Sequence, residues 1–574
     1  MEGDDRTLEE NKEHSPGGEV LQSDAAGEAE IPESKKEKKK NKKKAKKKKS
    51  ASGSKSSSAA STPRSAEDKD EKAKEKIEDE DEALAEDEDE DEDDFVVDEE
   101  FPDISRVVGA LRRTFNKGKT QSLDWRKDQL KALRDLFVEN EEQILEALAQ
   151  DLGRCRMESV LSEISTTVAE IDLALRNLKT WAHPQRVSTP LAQMKGLSHS
   201  EIHKQPLGVV LIIAPWNYPI NLCLAPLVGA LAAGNAALLK PSELSKHSSH
   251  LLAELVPKYL DPEAVRVIEG AVAETTAILR HKFDHIFYTG STSVGKVVMR
   301  AAAEHLTPVT LELGGKSPCI IDSKVDIDPA VRRVVWGKFW NAGQTCIAPD
   351  YLLVHEDVKE EFVEKLKEVT REFYGEDPKE SKDFARIIST NHVKRLSSYL
   401  DEVRGRDDVT ILNDKGGEVE ESERYVAPTL VLCEGNWIKK GRGGPLDVKL
   451  MSDEIFGPIL PIFTIKSLDE AVRFINKRPH PLALYLFSKN SANVDLEDHL
   501  RRGHGERHHH ALHRPLPPVR WRGRQRHWRL PRPGVVRRLL APQERTQQDD
   551  QVRPLGQVPA VQRQQALLHP DAGL

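Results

Sequence analysis

Three chemically different side chains stand in uncharged or glycine-rich stretches of the sequence. They are Cys346 in Phe339-Trp-Asn-Ala-Gly-Gln-Thr-Cys-Ile-Ala-Pro349, Glu312 in Leu311-Glu-Leu-Gly-Gly-Lys-Ser-Pro318, and Asn217 in Ala214-Pro-Trp-Asn-Tyr-Pro219. A thiolate adds to a carbonyl carbon, a carboxamide stabilises the resulting oxyanion, and a carboxylate takes a proton from water. Together the three groups would suit the covalent oxidation of an aldehyde.

The cysteine is predicted to lie at the head of a helix-like segment, among small and uncharged neighbours. Peptide dipoles at a helix N-terminus stabilise an anion, so this position would lower the pKa of the Cys346 thiol and favour the nucleophilic thiolate. A lone cysteine is otherwise a small buried hydrophobe. The amide and the carboxylate elsewhere in the chain favour the nucleophile.

The carboxylate of Glu312 is flanked by Leu311 and Leu313 and followed by a glycine pair. An apolar setting raises the pKa of a carboxyl group, which suits a general base that activates water against a thioester. The alternative is a surface carboxylate, which the leucine neighbours disfavour. Without Glu312 we expect the enzyme to stall as an acyl-enzyme.

From residue 207 onward the hydrophobic pattern changes from helical to alternating strands and helices. A continuous apolar run over residues 208–213 predicts a buried strand, residues 221–233 predict a helix, and residues 236–239, 265–268 and 285–288 are predicted as further strands of the same pattern. This pattern is typical of a parallel sheet with helices on both faces. The fold class is therefore α/β with a Rossmann-type cofactor domain, whose ligand crevice lies at the carboxyl ends of the strands.

Two of these strand ends carry candidate contacts to a dinucleotide. The glycine turn can bring peptide N–H groups to a pyrophosphate, although GxxxxG is weaker than GxGxxG and alone would indicate a tight turn. Lys240 and Glu243 follow another strand and suit ribose hydroxyls, with an exposed ion pair as the alternative. The residues of the glycine turn are Gly290, Ser291, Thr292 and Gly295.

Six segments occur in the order and spacing of the aldehyde dehydrogenase superfamily and most resemble its class 3 or fatty-aldehyde branch. They are APWNYP, KPSE, FYTGSTSVGK, LELGGKSP, FWNAGQTCIAP and EIFGPILP. The resemblance covers residues 104–490. It implies NAD(P)-dependent oxidation of fatty, aromatic or apocarotenoid-like aldehydes to carboxylic acids, through a cysteine thiohemiacetal and a thioester.

The same resemblance implies a role for each matching residue. Cys346 would be the nucleophile, Glu312 the general base and Asn217 the oxyanion-hole amide. NAD or NADP would contact Lys240, Glu243, Gly290, Ser291, Thr292, Gly295, Glu454 and Phe456, with Glu454 at the nicotinamide ribose. No metal is expected, and the family forms homodimers through a short strand extension. Interception of the thioester by CoA is disfavoured, because Glu312 supplies a base for water.

The chain divides by pattern into an ordered middle and two atypical ends. Residues 101–311 are predicted as the NAD(P)-binding domain with N-terminal helices, one beginning after Ser122 and another ending at Gly153. Residues 312–490 are predicted as the catalytic domain that carries the nucleophilic cysteine. A basic, glycine-rich insertion over residues 434–444 is either a lineage-specific loop or a translated intron.

The N-terminal end, residues 1–100, is predicted to be a disordered charged tail, because it offers few apolar groups to a core. The segment from Lys35 to Lys49 could contact RNA or an anionic membrane surface weakly. The alternative is a solvating tail whose basic and acidic parts partly neutralise each other. A catalytically dead dehydrogenase-fold protein that acts through this segment is the second function class.

Composition limits the cellular setting. The 574 residues carry a formal net charge of -9 and five cysteines without metal-ligand or disulfide spacing, which indicates a reducing compartment. The first residues lack a secretory signal pattern, and no apolar run reaches the roughly 18 residues that span a bilayer. A cytoplasmic protein is expected, with a location peripheral to membranes as the alternative.

Residues 499–574 are predicted to be an aberrant tail translated in a shifted reading frame. Residues 503–574 contain no Lys, Ile, Phe, Tyr, Ser, Asn or Met, which a folded segment of this length would hardly avoid. Residues 506–511 and 518–523 both decode, in one alternative frame, to segments of the resembling family. The histidine run from His508 to His510 would then be no metal site, and the family's intersubunit strand would be missing, which puts the homodimer in doubt.

Overall fold

The computed structural model describes residues 100–188, 200–434, 448–490 and 493, together with the backbone of residues 540–542. Four predictions therefore lie outside the described residues: the N-terminal tail up to residue 99, the lysine segment, all but the first residue of the 434–444 insertion, and nearly all of the C-terminal tail. Within the described residues, none of the helices has the length and apolar character needed to cross a membrane.

The ordered chain begins with helices whose ends follow from local sequence. Ser122 caps the second helix, since its Oγ accepts from the N–H groups of Asp124 and Trp125. Gly153 ends the third helix in the left-handed conformation at φ 57°. Both ends agree with the sequence-based prediction. The helices are α1 Pro102–Asn116, α2 Leu123–Glu139, α3 Glu141–Leu152, α4 Arg156–Ser159 and α5 Thr166–Ala182, with a π-helical turn Val160–Ser165 before α5.

Three short strands lead from these helices to the first large sheet. β1 (Gln185–Val187) pairs antiparallel with β2 (Ser200–Ile202), and β3 (Lys204–Pro206) follows directly. The next four predicted strands and the helix of residues 221–233 are all present. The elements are β4 Val209–Ile213, α6 Asn221–Ala233, β5 Ala236–Lys240, α7 Lys246–Tyr259, β6 Val265–Val267, α8 Val272–Leu279, β7 His285–Gly290, α9 Thr292–Glu304 and β8 Val309–Leu313.

These five strands form one fully parallel sheet in the order β6-β5-β4-β7-β8. Every residue of β4, β5 and α6 is buried, which is why these segments read as continuous apolar runs rather than alternating ones. Helices α2, α5 and α6 share one hydrophobic core with this sheet. The carboxyl ends of its strands therefore meet at one edge.

The second large sheet has six strands in the order β11-β14-β15-β10-β9-β16, and β11 alone runs antiparallel to its neighbour. Its own hydrophobic core is the largest in the described chain. The elements are β9 Pro318–Ile321, α10 Ile327–Phe339, β10 Tyr351–His355, α11 Lys359–Tyr374, α12 Thr390–Val403, β11 Val409–Ile411, β12 Val419–Glu420, β13 Tyr425–Val426, β14 Thr429–Cys433, α13 Lys449–Ser452, β15 Ile459–Ile465, α14 Leu468–Asn476 and β16 Tyr485–Phe487.

The link between the two sheets is short. β8 ends at Leu313 and β9 begins at Pro318, so four residues connect them. The domain boundary predicted between residues 311 and 312 falls inside β8, and Glu312 thus belongs to the first sheet. Far along the chain, β17 (Leu540–Pro542) pairs antiparallel with β3.

Candidate active site

The carboxyl edge of the five-stranded sheet gathers the predicted residues that follow its strands. In the strand register Ile213 lies opposite both Lys240 and Tyr288, and Thr289 lies opposite Glu312. Asn217 follows β4 by four residues at the same edge. Since neighbouring strands are about 4.8 Å apart, these side chains emerge from one continuous row. This row is the sheet edge of the description below.

The segment from Trp340 to Asp350, here the cysteine loop, departs from the prediction. Helix α10 ends at Phe339, a 3₁₀ turn spans Trp340–Gly343, and Cys346 lies in a further turn before β10. The expected position at the head of a helix, with help from its dipole, is therefore wrong. Asn341 and Ala342 adopt left-handed backbone angles, with φ of 53° and 50°, and these reverse the chain where a helix would have continued.

Asn217 and the cysteine loop meet through a shared hydrogen-bond acceptor. The buried Asn217 side chain donates from Nδ2 to the carbonyl oxygen of Gln344 at 3.0 Å. Asn341 Nδ2 donates to the same oxygen at 3.2 Å and to the backbone oxygen of Asn217 at 3.0 Å. The Asn217 carboxamide is thus held against the backbone of Gln344, which stands two positions before Cys346 in the chain.

Side chains from distant segments fix the backbone on both sides of Cys346. The Tyr218 hydroxyl and Thr345 Oγ1 are 2.6 Å apart, and the Tyr485 hydroxyl donates to the carbonyl oxygen of Ile347. Burial raises the pKa of both tyrosine hydroxyls, so both stay neutral at physiological pH. Cys346 itself is half-buried. The cysteine loop is therefore held by side-chain contacts rather than by regular secondary structure.

The Gln344 side chain makes three hydrogen bonds, one within the cysteine loop and two that anchor this loop to the segment before α12. Its Nε2 donates to the carbonyl oxygens of Asn341 at 3.0 Å and Arg386 at 2.9 Å, and its Oε1 accepts from the N–H of Ile388 at 2.9 Å. The side chain is fully buried. Its loss would leave buried backbone groups without partners, which is costly.

The glycine turn after β7 has the form expected of a pyrophosphate site. Ser291 caps α9, with its Oγ accepting from the N–H of Val294 at 3.3 Å, and Thr292 is the exposed first residue of the helix. A Cβ on Gly290 would overlap the Tyr288 hydroxyl. A Cβ on Gly295 would come within 2.8 Å of Leu313 on β8. Both glycines therefore serve close packing at the start of a helix.

At the end of β5, Lys240 is buried and lies 3.8 Å from the carboxylate of Glu243. Burial lowers the pKa of the Lys240 ammonium, and the Glu243 carboxylate opposes that shift. The alternative interpretation, an exposed ion pair, is wrong for Lys240, because the ammonium is enclosed between the strand end and the proline turn. Glu243 is half-exposed and can reach a ligand in the crevice.

Glu454 approaches the sheet edge from the second sheet. Its carboxylate accepts from the N–H of Gly315, and a Cβ on Gly314 would overlap its Oε2. Burial and the neighbouring Asp350 charge raise the pKa of Glu454 to about 8. Asp350 also accepts from the N–H of Ile455 at 3.0 Å, so the end of the cysteine loop fixes this segment.

Phe456 packs edge-on against Trp216, with ring centroids 5.3 Å apart. The backbone of Phe456 is left-handed, with a φ of 46°. Trp216 also contacts the ring of His392 at 5.1 Å. Burial lowers the pKa of His392 to about 4, helped by Arg395, so the imidazole is neutral at pH 7. Its Nδ1 is buried and has no hydrogen-bond partner within the part of the chain that the structure describes.

These features fit a dinucleotide. The helix N-terminus with Ser291 suits a pyrophosphate, the Lys240–Glu243 pair and Glu454 suit ribose hydroxyls, and His392 Nδ1 is a buried polar atom that a polar ligand could satisfy. By contrast, the described residues contain no group of three or more His, Cys, Asp or Glu side chains placed to hold a metal ion.

Several residues of this site were not predicted from the sequence. Tyr218 and Gln344 stand inside recognised motifs, and only their neighbours were considered. Arg154, His392 and Tyr485 lie in segments without any motif, so the sequence offered no signal for them. Their side chains matter through contacts with segments that are distant in the chain.

Comparisons with known proteins identify the family. The chain matches the family described as "Aldehyde dehydrogenase family" over residues 96–503. It is 47% identical over 392 residues to the rat protein "Aldehyde dehydrogenase, dimeric NADP-preferring", covering 67% of this chain and 81% of that protein. It is 48% identical over 385 residues to rat "Aldehyde dehydrogenase family 3 member B1", covering 66% and 77%.

Solved structures give the same result. The substrate-bound state of Staphylococcus aureus AldH is 42% identical with a TM-score of 0.64, and the match covers 69% of this chain and 82% of that one. The structure of PnpE in complex with nicotinamide adenine dinucleotide is 25% identical with a TM-score of 0.61, covering 69% and 80%.

The site and fold define an α/β oxidoreductase with a nicotinamide dinucleotide crevice. The chain belongs to the aldehyde dehydrogenase family. The predicted family, fold class, enzyme class and cofactor class, NAD or NADP, are confirmed, and with them NAD(P)-dependent oxidation of aldehydes to carboxylic acids. The non-catalytic alternative is not favoured.

Proposed function

We propose that Cys346 is the nucleophile of this oxidation, Asn217 the oxyanion donor and Glu312 the general base. The observation that carries this proposal is the hydrogen bond from Asn217 Nδ2 to Gln344, which holds the carboxamide beside the cysteine loop. Glu312 emerges from the sheet edge one strand away from the glycine turn. Asn217 and Glu312 thus share the sheet edge, and the hydrogen bond from Asn217 to Gln344 supports a site formed where that edge meets the cysteine loop.

The proposed reaction begins when the Cys346 thiolate adds to the aldehyde carbon and a C–S bond forms. The carbonyl oxygen becomes an oxyanion, which Asn217 Nδ2–H stabilises; removal of one such donor typically costs about 100- to 1,000-fold in rate. NAD(P)+, when bound, supplies the two-electron acceptor that turns the adduct into a thioester. Glu312 then takes a proton from water, the hydroxide attacks the thioester carbon, the C–S bond breaks, and the carboxylic acid leaves.

For the cofactor we propose contacts at both sheets. The N-terminus of α9, with Gly290, Ser291, Thr292 and Gly295, would hold the pyrophosphate. Lys240 and Glu243 would bind one ribose, and Glu454 and Phe456 would border the other. The N–H of Gly315 donates to the Glu454 side chain and orients it, so this side chain would be in place before the cofactor binds.

We propose an apolar aldehyde as the substrate, in line with the fatty, aromatic or apocarotenoid-like class. Tyr218, Leu222 and Trp340 form a small buried hydrophobic cluster, and Tyr218 reaches Thr345 beside the nucleophile. Trp336, which is 47% exposed, packs on Trp340 with ring centroids 4.9 Å apart. We propose that the substrate enters along these aromatic side chains, which would favour planar or long hydrocarbon groups.

A homodimer is proposed on two grounds. A relative is named dimeric, and α9 exposes Val294 and Val297, one helical turn apart, at 45% and 51% of their surface. Exposed aliphatic side chains of this kind are better accommodated at an interface.

The predicted shift of reading frame before residue 503, where the family match also ends, stays a proposal. Sequencing the transcript across codons 490–520 tests it, and a transcript that carries the printed frame would contradict it.

The experiment that tests the function measures cofactor reduction with aldehydes of graded length and with benzaldehyde. We expect the ratio kcat/KM to rise with apolar surface. The Glu312→Gln variant should produce a single burst of reduced cofactor, about one equivalent per chain, and then stall, because the thioester forms but is not hydrolysed. Steady turnover by Glu312→Gln at the wild-type rate would remove Glu312 from its proposed role.

A further inference from the structure

A buried ion pair lies beneath the turn that carries Asn217. Arg154 Nη1 and Glu163 Oε1 are 2.6 Å apart, and both side chains have no exposed surface. Arg154 follows the end of α3, and Glu163 belongs to the π-helical turn Val160–Ser165. Burying two charges is expensive, so such a pair is weak evidence for stability. Single π-helical turns occur frequently at functional sites.

The pair holds both ends of the turn from Asn217 to Asn221. Arg154 Nη2 donates to the backbone oxygen of Asn217 at 2.5 Å, and Glu163 Oε2 accepts from the N–H of Asn221 at 2.7 Å. Between these ends the Arg154 guanidinium lies 4.8 Å from the centre of the Tyr218 ring. One ion pair therefore binds the backbone of both Asn217, which carries the amide, and Asn221, the first residue of α6.

The same arginine also reaches the cysteine loop. Its Nε donates to Asn341 Oδ1 at 3.2 Å, which orients the Asn341 amide so that Nδ2 faces the oxygens of Asn217 and Gln344. Glu158 accepts from the N–H of Asn341 at 3.2 Å. Three separate segments, the α3–α5 region, the Asn217 turn and the cysteine loop, thus converge on one guanidinium.

We propose that Arg154 and Glu163 are positioning residues for oxyanion stabilisation: they hold the Asn217 amide at a fixed place relative to Cys346. This inference rests on the proposed roles of Asn217 and Cys346. An oxyanion donor is effective because it is oriented before charge develops, and irregular loops need an outside constraint to stay so oriented. The planar fork of arginine supplies that constraint to two loops at once.

The test uses the full chain and replaces both charges together in Arg154→Met/Glu163→Gln. Removing both partners of a buried pair is often neutral for stability, whereas removing one leaves an unpaired charge. The matched control is Arg134→Met/Asp172→Asn, a half-exposed pair at 3.0 Å between α2 and α5. Acylation is followed as the burst of nitrophenolate from p-nitrophenyl acetate, which acylates a reactive cysteine without a cofactor.

We expect the burst rate of Arg154→Met/Glu163→Gln to fall about 10-fold or more at a nearly unchanged unfolding temperature, since small misplacements of a reacting group have effects of this size. The control pair should acylate at the wild-type rate. In an Asn217→Ala background the added loss should be less than about twofold, because the ion pair acts through that amide. Alkylation of Cys346 by iodoacetamide, which develops no carbonyl oxyanion, should be unchanged.

A second variant avoids buried charges. Asn341→Gly keeps the left-handed backbone but removes the amide that joins the two loops, and it should slow acylation in the same way. If Arg154→Met/Glu163→Gln does not fold, this variant decides. A wild-type burst rate in Asn341→Gly, or a full multiplicative loss in the Asn217→Ala background, would overturn the proposal. A wild-type chain without any burst would instead contradict the proposed role of Cys346, and the positioning proposal would fall with it.

Discussion

The sheet edge and the cysteine loop hold their functional side chains in opposite ways. At the sheet edge, Lys240, Gly290 and Glu312 lie at or near the ends of parallel strands of one sheet, and the strand register fixes their spacing. In the cysteine loop the backbone has left-handed turns, and Cys346 is placed by hydrogen bonds from side chains of distant segments.

This difference indicates where the site is robust and where it is sensitive. A substitution at the sheet edge changes a contact to the ligand but leaves the strands in place, because their backbone bonds do not depend on it. A substitution among the side chains that hold the cysteine loop removes part of the scaffold itself. We therefore expect substitutions of the side chains that hold the cysteine loop to lower kcat, and substitutions at the proposed cofactor contacts of the sheet edge, such as Lys240 and Gly290, to raise the KM for the cofactor.

The largest effect is expected for the nucleophile. Cys346→Ser should lower aldehyde-dependent cofactor reduction at least ~1,000-fold, because an alcohol is a much weaker nucleophile than a thiolate at neutral pH. Cys155→Ser is the control, since Cys155 has a similar intermediate exposure. Equal losses of activity in Cys346→Ser and Cys155→Ser would contradict the assignment of Cys346 as the nucleophile.

Gln344→Ala tests the scaffold of the cysteine loop without touching the nucleophile. It removes three hydrogen bonds and leaves buried groups of Arg386 and Ile388 without their partner. We expect the free energy of unfolding to fall by about 2–4 kcal/mol and kcat by about 10-fold, with the KM for the cofactor nearly unchanged. Gln150→Ala, on the exposed face of α3, should do neither. If Gln344→Ala changed only the KM for the cofactor, the cysteine loop would not differ from the sheet edge in the way described above.

Gly290→Ala tests the sheet edge. The added Cβ would overlap the Tyr288 hydroxyl, so either the Tyr288 ring or the turn must shift. We expect the KM for NAD(P)+ to rise about 10-fold, roughly 1.4 kcal/mol of binding, while the acylation burst stays at the wild-type rate. Tyr288→Phe in the same chain removes the overlapping oxygen and should restore part of the affinity. Slower acylation in Gly290→Ala would instead indicate that the glycine turn helps to hold the cysteine loop.

The smallest effect concerns pH. Because the pKa of Glu454 is raised to about 8, the carboxyl group is neutral below that pH and charged above it. A charged carboxylate is the better acceptor for ribose hydroxyls, so the KM for NAD(P)+ should fall several-fold as the pH rises through 8. Glu454→Gln should show no such change.

The same group makes a prediction for stability, with the opposite sign. A carboxyl whose pKa is higher in the folded state than in the unfolded state destabilises the fold as pH rises from about 4.5 to 8. Wild type should therefore lose unfolding free energy relative to Glu454→Gln over that interval. Denaturant titrations of both proteins at pH 5 and pH 9 measure the difference, and a constant gap would contradict the raised pKa.

The comparison also explains what the sequence could predict. Helix α6 was predicted with its observed bounds, and Ser122 and Gly153 marked helix ends, because caps and buried strand runs are local signals. The sheet edge follows from these elements, since parallel strands bring their carboxyl ends together. Family motifs then supplied the residue types at that edge.

The cysteine loop could not be predicted in the same way. Its motif identifies Cys346, but the motif reads as the start of a helix, and nothing local states that Asn341 and Ala342 reverse the chain. That conformation is stabilised by Arg154 and Glu158, which contact Asn341 from positions far away in the sequence. Such contacts have no period and no spacing rule, so only the folded chain reveals them.

The four-residue link between the sheets has a consequence for chimeric enzymes. Gly314 and Gly315 lie against Glu454, which arrives from the other half of the chain, so this junction is complementary to a residue about 140 positions downstream. Gene shuffling between distant relatives should tolerate crossovers within α11 or between α7 and β6, whereas a crossover at the link survives only if both parents carry the same glycine and glutamate. The short link between the two sheets is thus an unsuitable crossover site for chimeric enzymes.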